Sequence, residues 1–251
     1  MKVTGIQHDI VWEDPAANFE KLAPQIATAA GDGADLVVLS EMFSYGFSMG
    51  AAALAEAADG PSVTFLVDQA DRHGITVCGS IPIAGDSMPT NQLVVADGSG
   101  VVGRYNKIHP FSYAAEDEYY GPGSEFLQLD INGVACSFFI CYDLRFGDEF
   151  WTLGPSTDLF VVVANWPAAR SAHWLALLTA RAIENQAFVL GVNRVGHDAN
   201  GHTYSGNSAL IDPLGETLAT EIDQPSHISG DVSASAVASV RQQFPFLPDR
   251  R

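Results

Sequence analysis

Apolar runs of strand length recur along the whole of this chain, and they limit its fold more than any other feature. They lie at Leu36 to Leu39, Ile75 to Ile81, Gln92 to Ala96, Val134 to Ile140, Leu159 to Val163, Phe188 to Val192 and Ser208 to Ile211. The N-terminus adds an earlier strand, in which Val3, Gly5 and Gln7 alternate with Thr4, Ile6 and His8. Between several runs the apolar period changes to about 3.6, over residues 15 to 30 and 62 to 72. Residues 170 to 185 do the same, and the period sets Trp174, Leu177, Leu178 and Ile183 toward one side. Strands interleaved with helices predict an α/β or α+β chain. "DGSG" at 97 to 100 and "DPLGE" at 212 to 216 read as hairpin loops, so the sheets are predicted to be mixed. No linker, charge block or repeat divides residues 1 to 251, which predicts a single domain.

Composition removes several classes of function. With 47% hydrophobic and 17% charged residues the chain is not of disordered type, and no apolar run reaches the roughly 20 residues that span a bilayer. The first residues lack the charged head, apolar body and cleavage site of a signal peptide, so a soluble, cytoplasmic protein is expected. Twelve basic against thirty acidic residues give a net charge of -18, which repels phosphate backbones and anionic surfaces. Neither nucleic acid nor membrane is an expected partner. Seven histidines form no HxxxH, and His197 and His202 in "GHDANGH" have no cysteine beside them, so no metal is expected. "GDGAD" and "GSG" lack the spacing of a phosphate loop, Ser205 and Ser208 form no GxSxG elbow, and no organic cofactor is implied. Three cysteines without a CxxC spacing give no disulfide framework, and Cys78 and Cys136 read as core.

Three predicted strands end in a chemically able side chain: "LVVLSEMF" at Glu41, "VVGRYNK" at Lys107 and "ACSFFIC" at Cys141. Strand ends are where ligands gather in α/β layers. A carboxylate, an ammonium and a thiol together meet the needs of acyl transfer: a base, an oxyanion partner and a nucleophile. Taken singly, each has a plainer reading, as a small buried hydrophobe, a solvated cap or a surface lysine. Context favours chemistry. Glu41 sits among Met42, Phe43, Tyr45 and Phe47, and Lys107 is the only lysine after Lys21. The segment from 107 to 126, rich in aromatics and acids, is a long loop of the kind that carries function.

"SEMFSYGFSM", "YNKIHPFSYAAEDEYYGPG", "ICYDLRF" and "ANWPAARSAHWLALLTARAIENQAFVLGVNRVG" resemble the carbon-nitrogen hydrolase (nitrilase) superfamily, in its omega-amidase-like branch. The likeness runs from the first strand to "SALIDPLGE". It implies an α+β fold, an αββα sandwich of two mixed β-sheets flanked by helices, which pairs as a homodimer or larger homo-oligomer. It also implies that Glu41 is the general base, Lys107 the oxyanion-stabilising lysine, Cys141 the nucleophile and Glu116 a second glutamate that positions Lys107 or the substrate. Tyr142, Asp143, Leu144, Arg145 and Phe146 follow the cysteine where true nitrilases have Trp-Glu, which points to an amide rather than a nitrile. Ser40 replaces a usual proline and Gly147 stands where proline or a small residue is common; both bear on loop stiffness and neither removes a chemical group.

The implied substrate is the omega-amide of a 2-oxo dicarboxylate, hydrolysed through a cysteine thioester, with the backbone N–H of Tyr142 as second oxyanion donor. Its carboxylate calls for a bidentate arginine, and Arg145 and Arg170 are the candidates. Arg145 also reads as a clamp on Asp143, and Arg170 as a surface residue at a helix start. Phe43, Tyr45, Phe111, Tyr119 and Trp166 are expected to wall the pocket and keep it dry. The alternatives are another amidase of the superfamily, for example on N-carbamoyl compounds, or a catalytically silent binding or assembly module.

Overall fold

The computed structural model describes residues 1–250. Its first sheet starts from β1 (Lys2–Gln7), β2 (Leu36–Val38) and β3 (Thr76–Ile83), which are parallel neighbours. β4 (Thr90–Asp97) and β5 (Gly100–Asn106) extend it as the antiparallel hairpin closed by "DGSG". The second sheet is built on three parallel strands, with β6 (Gln128–Ile131) antiparallel at the edge of β7 (Val134–Ile140), followed by β8 (Leu159–Ala164) and β9 (Phe188–Asn193). β10 (Val195–His197), β11 (Thr203–Ile211) and β12 (Thr217–Ile222) complete it, β11 and β12 being the hairpin at "DPLGE". The last strand, β13 (Ser226–Asp231), returns to pair antiparallel with β1.

Period-2 alternation decides what each strand faces. On β2, Leu36 and Val38 join Val3, Cys78, Leu93 and Val95 in the core shared with Phe138, Val161 and Val192 of the second sheet. Val37 and Leu39 turn the other way, toward Leu22 and Ile26 of α1 (Pro15–Gly31) and, past the short α2 (Ala51–Leu54), Leu66 and Ala70 of α3 (Pro61–His73). β1 is alternate in the same sense. A Cβ on Gly5 would lie 2.6 Å from Val192 Cγ2, so glycine there lets the two sheets approach.

Outside the second sheet lie α4 (Gly147–Leu153), α5 (Ser171–Asn185) and α6 (Ala234–Gln243). Trp174 and Leu178 of α5 pack where a side chain on Gly191 would collide with them, at 2.8 and 2.4 Å. The result is the αββα sandwich of two mixed sheets. The expected face of α5 needs one correction: Ile183 is 52% exposed. Five residues beyond Leu178, it has turned about 140° around the axis, and Ala182 and Asn185 take the inward places. β6, β10 and β12 escape the apolar pattern because they are short or exposed edges, as in the alternating "TLATEI" of β12. No helix among the described residues is long and apolar enough to cross a membrane.

His8, just past β1, is buried beside Ile6 O (3.3 Å) and Phe43 O (3.5 Å). A neutral ring has a single N–H, so it can donate to one of these carbonyls only. Burial pushes its pKa down to about 4 from the ordinary 6.5, with Arg194 acting in the same direction. The unfolded chain therefore binds a proton near pH 6.5 that the folded chain refuses until about pH 4. Stability should be complete above pH 6.5 and fall by up to about 3 kcal/mol as pH drops between those values. Urea unfolding of the parent and of His8→Gln across this range checks it; the variant should lose less with acid.

Candidate active site

β2, β5, β7 and β8 end on the same side of the sandwich, and each delivers a polar residue there: Glu41, Lys107, Cys141 and Asn165. Two of the connections are strained. Met42 (φ 43°) and Cys141 (φ 47°) adopt left-handed backbone without being glycine, at a cost of about 1–3 kcal/mol each. Buried polar groups hold them. Ser80 Oγ accepts the Met42 N–H (2.9 Å), and Asp143 Oδ2 accepts the Ile140 N–H (3.0 Å). Asp143 also takes the Tyr105 hydroxyl (2.8 Å) and the backbone N–H of His109 (2.9 Å), so it ties the cysteine turn to the segment after β5. The expected clamp of Arg145 on Asp143 is absent because those donors already occupy the carboxylate.

Lys107 is 1% exposed and lies between two buried carboxylates. Its Nζ is 2.8 Å from Glu41 Oε1, and 2.8 and 3.1 Å from Glu116 Oε2 and Oε1. These three contacts fall on two carboxylates, one on Glu41 and two on Glu116. Asn91 Nδ2 donates to Glu41 Oε1 (2.8 Å) and Glu116 Oε1 (3.2 Å), and the Phe111 N–H donates to Glu116 Oε2 (2.6 Å). Asn165 donates its backbone N–H to Glu41 Oε2 (2.8 Å) and its amide to Glu41 O (2.6 Å). Glu41 Oε1 is thus saturated by two donors, whereas Oε2 keeps one lone pair.

Burial and the nearby Glu41 carboxylate push the Cys141 thiol well up, against the pull of Lys107. The resting group is therefore a thiol beside a base, not a preformed thiolate. Burial alone would lower the Lys107 pKa, but Glu116 and Glu41 outweigh it and hold the ammonium charged. Burial raises the Glu116 carboxyl, with Lys107 opposing. This arrangement can move a proton from sulfur to carboxylate and stabilise an oxyanion beside a fixed cation.

Above Cys141 opens a cavity of about 360 Å³. Tyr142, Arg145, Arg170, Phe111 and Trp166 line it. Arg145 lies over the Trp166 ring (4.8 Å) and meets His173 Nδ1 (3.2 Å), while Arg170 lies over Phe111 (5.5 Å). Among the described residues neither forms an ion pair with a carboxylate. Three expected wall residues are elsewhere. Phe43 packs in the core under α1 and α3, since the left-handed turn at Met42 directs it to the helix side. Tyr45 is buried against Glu56, to which its hydroxyl donates (2.8 Å). Tyr119 is 43% exposed outside the cavity. In their place stand Phe47, Met49, Tyr113 and residues of the "GHDANGH" loop, Asp198, Asn200 and His202, with Tyr204 behind them. Aromatic content marked the right segments, while the histidine pair drew attention as a metal motif rather than a wall. Asn91 gave no sequence signal, and Asn165 and Asp143 stood only inside the family motifs, without the roles the site gives them.

The carbon-nitrogen hydrolase family profile matches residues 2–242. The omega-amidase YafV of Escherichia coli K12 is 39% identical, over 99% of this chain and 96% of its own length. The 2-oxoglutaramate amidase of Bacillus subtilis 168 is 33% identical, over 99% and 97%. A CN-hydrolase superfamily protein of Xanthomonas campestris, crystallised with an arsenic adduct in its active site, has a TM-score of 0.95 at 37% identity, covering 100% of this chain and 97% of that one. The chain belongs to the carbon-nitrogen hydrolase (nitrilase) superfamily, in its omega-amidase-like branch. It is accordingly a hydrolase acting on carbon-nitrogen bonds.

Proposed function

We propose that the protein, as one hydrolase domain over residues 1–251, converts the omega-amide of a 2-oxo dicarboxylate, 2-oxoglutaramate or 2-oxosuccinamate, to the dicarboxylate and ammonia. The reading is carried by one observation: two arginines without carboxylate partners share a 360 Å³ pocket with a cysteine that adjoins a buried Glu-Lys-Glu cluster. The names of the relatives, an omega-amidase and a 2-oxoglutaramate amidase, support it.

In this mechanism Glu41 takes the Cys141 proton as sulfur attacks the amide carbon. The Lys107 ammonium and the backbone N–H of Tyr142 hold the oxyanion. Glu41 returns the proton to nitrogen, the C–N bond breaks and ammonia leaves a thioester. Water then attacks, giving its proton to Glu41; the C–S bond breaks, the acid departs and sulfur regains the proton. Glu116 fixes Lys107 throughout. Arg145 and Arg170 bind the distal carboxylate, which selects omega-amides over plain amides.

Ammonia release from 2-oxo omega-amides, neutral aliphatic amides, nitriles and N-carbamoyl amino acids tests this. The carboxylated omega-amides should dominate; a carbamoyl preference would replace the substrate assignment, and silence on every compound would leave a binding module. Replacing both Arg145 and Arg170 with methionine should raise KM for the omega-amide about 100-fold. Turnover of a neutral amide should remain within a small factor. A homodimer in the cytoplasm belongs to the same reading. The exposed Ile183, against which Gly215 packs, and the exposed Leu214 that precedes Gly215 support pairing through the α5 layer, and the three free cysteines suit a reducing compartment. Sedimentation in solution checks the former.

A further inference from the structure

Asn91, at the start of β4, is 1% exposed and touches both carboxylates of the buried cluster. Its backbone oxygen accepts the backbone N–H of Lys107 (2.9 Å), which ties β4 to the residue that carries the ammonium. Its two amide hydrogens go to Glu41 Oε1 (2.8 Å) and Glu116 Oε1 (3.2 Å). Both partners are acceptors, which fixes the amide orientation and leaves Oδ1 buried with no partner. An orphaned carbonyl in a dry site is a cost that an apolar side chain would avoid. The two N–H groups are therefore what the position supplies.

Two carboxylates around one ammonium carry an excess negative charge, and buried carboxylates so placed tend to share a proton. Such a proton would sit between Glu41 and Glu116, on the lone pairs that the Asn91 hydrogens fill. We infer that Asn91 is a positioning residue that holds the two glutamates apart and unprotonated, keeping the free lone pair of Glu41 Oε2 available to Cys141. The inference rests on the hydrolytic reading of the site. The charged and titratable groups around it are Glu41 from the turn after β2, Lys107 after β5, Glu116 and Tyr120 from the following loop, and Cys141 after β7.

The test is the pH dependence of kcat/KM for parent, Asn91→Ala, Asn91→Asp and Asn91→Ser, with thermal unfolding of each and Cys141→Ala alongside. Asn91→Ala should lower kcat at neutral pH about 100-fold with little change in KM. Its acid limb should move up by about one pH unit. Asn91→Asp, which swaps the donors for a third acceptor, should do worse, and Asn91→Ser, which keeps one donor, should recover part of both effects. An unmoved acid limb, or equal losses in the serine and alanine variants, would reduce Asn91 to a packing role and overturn the inference. If the alanine variant does not fold, the serine and aspartate profiles decide by the same criteria. Full turnover in Cys141→Ala would instead sink the hydrolytic reading itself.

Discussion

Cys141→Ala is expected to lower ammonia release by at least about 10⁴-fold, since removal of a covalent nucleophile leaves only binding and oxyanion stabilisation. The fold should hardly notice. The side chain reaches the cavity floor, alanine keeps the same Cβ at φ 47°, and stability should stay within about 1 kcal/mol of the parent. Rapid acid quench of the parent during turnover should show the substrate acyl group on Cys141 by intact mass, and the alanine variant should show none. An acyl adduct elsewhere, or turnover that survives the substitution, would exclude the thioester route.

Lys107→Met should have the second largest effect, and it should strike stability as well as rate. The substitution leaves Glu41 and Glu116 facing each other in a dry site with no counter-charge. Breaking a buried pair in this way costs about 3–5 kcal/mol at neutral pH. Burial already raises the Glu116 carboxyl, and without the ammonium it rises further. A group whose folded pKa is raised adds stability at low pH and loses it as pH climbs, so the variant's deficit should narrow on acidification. Denaturant midpoints at pH 5 and pH 8 would show this. Activity should fall about 10³-fold even where the variant is folded, as expected for loss of an oxyanion partner. A deficit that is independent of pH would mean that the pair stays ionised without its lysine.

The elements and the reactive groups were legible to different degrees, and for physical reasons. Glu41 and Cys141 stood out because each ends an apolar strand, and Lys107 because no other lysine follows Lys21. The strands themselves were visible as apolar runs because their faces are buried on both sides, between the sheets and under the helices. The edges were harder: β12 mixes polar residues with exposed apolar ones such as Leu218 and Ile222, so it forms no apolar run. The parts that Asn91, Asn165 and Asp143 play were hidden because their contacts span 50, 124 and 38 residues, and no local spacing encodes such a meeting. Phe43 and Phe47 differ in fate because the chain turns again between them, at Gly46 (φ 81°), which aromatic content cannot reveal.

The groups that react and the groups that choose come from different parts of the chain. Glu41, Lys107, Cys141 and Asn165 hang directly from strand ends, and buried hydrogen bonds lock Glu41 to Lys107 and Asn165. Much of the wall, by contrast, belongs to connections: Phe47 and Met49, Phe111 and Tyr113, and the 198 to 202 loop. Connections accept insertion and exchange at small energetic cost, whereas the strand ends do not. Such a molecule can change diet without relearning how to digest. Grafting those three loops from a relative with another preference should carry the preference across while the hydrolytic centre stays as it is.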